Sequence, residues 1–137
     1  MPKVIVDSTK GLYQQSGIAK SDFKTGLGMG AQALAAAGAN AGNSTPIVAT
    51  DGSVVVVSGA NGTTGVTLPA LSSVPVGTFF IIANTAGAVL KVWPNTDDKV
   101  NPLADDAHVT VAANCTLILT KDSNVQWLGG EPAVISE

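Results

Sequence analysis

The chain has 137 residues, seven lysines and no arginine, ten acidic residues and a net charge of −3. Charged residues make up only 12% against 45% hydrophobic, which excludes a chain kept unfolded by its own charge and fits one domain with an appended arm. Without arginine there are no forked contacts to phosphate or guanine, so no nucleic-acid partner is expected.

Cys115 stands alone and cannot close an internal disulfide. Followed by Thr116, Leu117, Ile118 and Leu119, it is expected to be a small buried hydrophobe. The opening Met1-Pro2-Lys3-Val4-Ile5-Val6-Asp7 lacks the long apolar core of a secretory signal, so synthesis in a cytosol is expected. No apolar run approaches the roughly 18 residues that cross a bilayer, so no membrane partner is expected. The sequons at Asn43, Asn61 and Asn114 are then polar turn and strand residues.

Charge is unevenly spread. From Thr25 to Leu90 the sole charged residue is Asp51. Monomer surfaces usually intersperse Lys and Glu, so another chain is expected to cover part of this region.

Residues 1–24 are expected to form an extended arm. They hold Lys3, Lys10, Lys20 and Lys24 and the strand-forming triplet Val4-Ile5-Val6, followed by Leu12 and Tyr13. The triplet has no obvious hairpin partner, and two roles stay open: an edge strand of the main domain, or an arm that pairs with a neighbouring subunit.

Residues 25–46 are a Gly/Ala-rich linker. The run from Ala31 to Ala37 has good helix propensity but is too short to be stable alone. Gly26, Gly28 and Gly30 superficially suggest a phosphate loop. No strong strand precedes them, however, and neither a Walker lysine nor a ribose-binding acid follows.

Residues 47–137 are expected to form the β domain. Short strands are expected at 47–49, 53–58, 65–68, 78–83, 89–93, 108–111, 116–121 and 125–128, separated by Gly, Asn and Asp turn residues. This pattern predicts an all-β chain, an antiparallel sandwich or jelly-roll-like barrel. Two strands do not alternate. Val54, Val55, Val56 and Val57, and Phe79, Phe80, Ile81 and Ile82, are apolar on both faces, so one face of each is expected to fill the core and the other to meet the linker, the arm or another subunit, with a subunit interface favoured. Trp93 and Trp127 end apolar runs, where an indole N–H is expected to find a partner.

Several segments, in order, resemble β modules of tailed-phage virion proteins: Val66-Thr67-Leu68-Pro69, Pro75-Val76-Gly77-Thr78, Ile81-Ile82-Ala83-Asn84, Leu90-Lys91-Val92-Trp93-Pro94, Asn101, Val109-Thr110-Val111-Ala112 and Trp127-Leu128. The resemblance covers roughly residues 60–128. Where such modules often carry a Gly-Asp turn, this chain has Thr96-Asp97-Asp98. The resemblance implies a capsid decoration (cement) or head-fibre protein, or a receptor- or glycan-binding module of a tail fibre.

Chemistry is sparse. Asp97-Asp98 and Asp105-Asp106 lack the spacing of a calcium loop, and His108 has no nucleophile tied to it by a motif. No catalytic residue, metal or cofactor is expected. The expected function is a non-enzymatic capsid decoration protein on the virion surface, a homo-oligomer with a trimer favoured, whose partner is the major capsid protein. The expected capsid-contact arm holds Lys3, Val4, Ile5, Val6, Lys10, Leu12 and Tyr13.

Overall fold

Among the described residues, runs of Val, Ile, Thr and Phe bounded by turn residues form most of the strands, as β-propensity dictates. A computed structural model describes residues 4–7, 11–14, 30–123 and 125–129, and among them there is no α-helix. The strands are β1 Val4–Asp7, β2 Gly11–Gln14, β3 Ala31–Ala35, β4 Thr45–Pro46, β5 Val54–Ser58, β6 Gly65–Thr67, β7 Phe79–Asn84, β8 Leu90–Trp93, β9 Val100–Asn101, β10 Val109–Val111, β11 Thr116–Lys121 and β12 Trp127–Leu128. One 3₁₀ turn, Leu71–Ser73, interrupts them.

The protein is all-β, and its sheets are mixed rather than antiparallel. Apart from the two-stranded sheet β1-β2, one main sheet has the order β3-β5-β7-β11-β12-β9 and the other β10-β8-β6-β4. From β3 to β8 the chain visits the two sheets in strict alternation, like successive coils of a solenoid. Each return enters its sheet in the same direction, so β3, β5 and β7 pair in parallel, as do β4, β6 and β8. Parallel neighbours need a crossover, and here the opposite sheet supplies it where other folds use a helix. The later strands reverse this pattern: β11 runs antiparallel to β7 and β12, and β10 to β8.

Both sheets feed one core. Val55, Val57, Phe80, Ile82, Leu119 and Trp127 from the six-stranded sheet and Val66, Leu90, Val92 and Val111 from the other are buried in a single cluster. Phe80 and Trp127 meet there with ring centroids 5.9 Å apart.

Three further expectations change. The Gly/Ala-rich stretch contains β3, which pairs along its length with β5. Alanine favours helix, but Gln32 fixes the extended form: its amide donates to the Val48 and Gly52 carbonyls (2.9 and 2.8 Å) and accepts from the Val48 N–H. At the start of β3, Gly30 packs its backbone against Gly52, which has φ +128°, leaving no room for a Cβ at Gly52. Val4, Ile5 and Val6 do have a hairpin partner: β1 pairs antiparallel with β2, Ile5 facing Tyr13 and Val6 facing Leu12. Finally, Cys115 is exposed. It precedes β11 in a turn where Asn114 has φ +57°, so the inward parity of Leu117 and Leu119 does not extend back to it.

Candidate functional site

Alternation along the six-stranded sheet sends one set of side chains inward and the other out. Val55, Val57, Phe80 and Ile82 point into the chain's own core at 0–1% exposure, which removes them from any surface. Val54, Val56, Phe79 and Ile81 stay on the outer face. Strand register aligns them: Ala31, Val54, Ile81 and Ile118 form one row across four strands, and Ala33, Val56, Ala83 and Thr116 a second. Ile118 is 56% exposed, Leu128 41% and Val56 37%. No charged residue stands on the outward positions of these strands among the described residues. Contiguous apolar surface of this kind marks interaction sites. Fully covering one such side chain contributes about 1.5–3 kcal/mol.

Of the expected arm residues, Val4, Ile5 and Val6 lie in β1 and Leu12 and Tyr13 in β2, whereas Lys3 and Lys10 fall outside the described residues.

The opposite sheet carries a second feature. Register places Trp93 on its outer face, and the His108 ring packs on it with centroids 4.3 Å apart. The Lys91 ammonium sits 5.7 Å from the same indole. Burial, and then the Lys91 charge, lower the His108 pKa from 6.5. Beside this stack a cavity of about 560 Å³ is lined by Asn101, Pro102, Leu103, His108, Val109, Thr110 and Gly129. The indole nitrogens of Trp93 and Trp127 are buried with no hydrogen-bond partner among the described residues, contrary to expectation.

The acidic turns come together. The Asp97 N–H donates to Asp106 Oδ1 at 2.9 Å, and the Asp106 N–H donates to the Asp98 carbonyl at 3.0 Å. Both residues have positive φ, +65° and +60°, which Asp tolerates. Asp98 faces the 3₁₀ turn, accepting the Leu71 N–H at 2.8 Å. Among the described residues no group of His, Cys, Asp and Glu is arranged to hold a metal ion.

Burial was not expected from sequence for two polar residues. Lys121 is 2% exposed, and Asn84, also 2%, donates to the Ala88, Val111 and Ala112 carbonyls. Strand parity signals both, since Lys121 continues the inward series of Leu117 and Leu119, and Asn84 that of Phe80 and Ile82.

Comparison with known protein families, curated proteins and solved structures finds no match to this chain.

Proposed function

We propose that the chain is a non-enzymatic structural subunit of a tailed-phage particle. In this reading it is a capsid decoration protein that binds the outer head surface as a symmetric homo-oligomer, with a trimer favoured. The observation that carries the reading is the uncharged outer face of Val54, Val56, Phe79, Ile81, Ile118 and Leu128. A lone monomer would leave it in water; copies that pack on it, or on the major capsid protein, remove it from water. The order of motifs from Val66 to Leu128 supports the virion assignment. We read the two sheets around their shared core as a sandwich, a rigid body for such contacts. Shell stabilisation follows by linkage, because a ligand that binds only the assembled state deepens that state.

A second reading, a receptor- or glycan-binding module of a tail fibre, draws on the cavity beside the Trp93–His108 stack. Its Asn101, Thr110 and His108 offer hydrogen bonds among apolar walls, the composition of a small-ligand site. Electron cryomicroscopy of the parent particle separates the two. The chain on the outer head surface supports the first reading, and the chain at the tail tip supports the second. Its absence from the particle overturns both.

A further inference from the structure

The two sheets have four edges, and three are protected. β9 is two residues long and runs into Pro102. β4 is two residues long and ends in Pro46. β10 has three residues, and its Val111 carbonyl accepts from Asn84 Nδ2 at 3.1 Å. Short edges, prolines and side-chain caps are the usual means of keeping sheets from pairing with other chains. β3 has only a side-chain bond at its last carbonyl. It is five residues, Ala-Gln-Ala-Leu-Ala, with no proline and no charge.

The hydrogen bonds fix which way its backbone points. The Gly30 carbonyl accepts from the Val54 N–H at 3.1 Å, and the Ala36 N–H donates to the Ser58 carbonyl at 2.8 Å. Alternation then turns the peptide groups of Gln32 and Leu34 toward β5 and those of Ala31, Ala33 and Ala35 outward. Among the described residues the outward groups meet one partner, Thr45 Oγ1, which donates to the Ala35 carbonyl at 2.6 Å. The Gln32 side-chain bonds hold the strand extended, so the edge is already in the form a new strand needs.

We infer that the β3 edge docks a second copy of this chain. The two β3 strands pair antiparallel about a two-fold axis beside Ala33, so that the six-stranded sheets run on as one. Three properties select a second copy. The outward N–H and C=O groups of one β3 complement those of another. Neither strand carries a charge to repel its twin. Pairing also joins the Ala33–Val56–Ala83–Thr116 rows of both copies end to end, so that the two outer faces become one uncharged face. The inference rests on the homo-oligomer reading and refines its symmetry: a two-fold contact makes a dimer, or joins two of the favoured trimers, and it does not need the oligomer to sit on a phage head.

The test is sedimentation equilibrium of the full-length chain with Ala33→Pro and Ala33→Lys. Among the described residues the Ala33 N–H serves no internal bond and its side chain is exposed, so both variants should fold with unchanged circular dichroism. If proline alone disturbs the strand, the lysine variant still reads the contact. The expected result is that each variant halves the wild-type mass, and that amide exchange at Ala33, slow in the wild-type oligomer, becomes fast in the lysine variant. Unchanged mass in the folded variants overturns the inference, as does a wild-type monomer. A slowly exchanging Ala33 amide in a monomer assigns the edge to the chain's own residues and also overturns it. Variants of halved mass with no head binding keep the edge and sink the decoration reading; head binding with unchanged variant mass does the reverse.

Discussion

Asp98 and Lys121 hold opposite ends of the same 3₁₀ turn. Asp98 Oδ2 accepts the Leu71 N–H at 2.8 Å, while Lys121 Nζ donates to the Leu71 and Val74 carbonyls at 2.5 and 2.6 Å. The turn has no side-chain cap of its own, so these two distant residues satisfy its ends.

Lys121→Met keeps much of the side-chain volume and removes the donor. The Leu71 and Val74 carbonyls then lose their buried partner. The expected loss is about 2–4 kcal/mol of stability in urea denaturation, because buried acceptors left unmade are costly. A loss within error of zero would mean that the ammonium's desolvation cancels its bonds.

Asp98 gives a pH signature. Burial raises its pKa above 3.8, with Asp97 and Asp106 adding to the rise and the Leu71 bond and Lys121 opposing it. A raised carboxyl favours the folded state in its protonated form, so this contribution is present below 3.8 and is lost as pH rises through the folded value. Asp98→Asn retains an acceptor for Leu71 and cannot titrate. The stability of wild type relative to this variant should therefore fall as pH rises from 3 to 6, in paired chemical denaturations at each pH. A difference that grows with pH contradicts the assignment.

His108 titrates in the opposite sense. Its lowered pKa means that the folded state prefers the neutral ring, so stability from this group is present above 6.5 and is lost as pH falls through the folded value. Lys91→Met should raise the His108 pKa only part of the way back in an NMR titration, since burial is the larger cause. Full return to 6.5 would make Lys91 the dominant cause.

Cys115 is exposed, so a thiol reagent should label the native chain at the rate of an unstructured thiol, and Cys115→Ser should leave stability unchanged. Labelling only after unfolding would place the side chain inside.

Much of the strand content was legible because its residues are locally unambiguous. Val54 to Val57 and Phe79 to Ile82 form strands, and their apolar outward halves do reach the surface. The parallel coil was not legible. It depends on Thr45–Pro46 and Gly65–Thr67 meeting in the second sheet, pairings that no local pattern encodes. Ala31–Ala35 reads as linker or helix by propensity, and its extended form is imposed by Gln32 bonding across to Val48 and Gly52. Lys121 was obscured by its charge, which argues for solvent while its place in the β11 alternation argues for the core. The core was thus more legible than the site, since an interaction face is defined by register between distant strands.

Ile118 is central to the outer face, in register with Ile81 and through it with Val54. Sedimentation equilibrium of the wild-type chain and Ile118→Lys at micromolar concentration tests the assembly claim most directly. The wild-type protein should sediment as a multiple of the 13.7 kDa chain, and the folded Ile118→Lys variant as a smaller multiple. A wild-type chain that sediments as a single 13.7 kDa species would contradict the account.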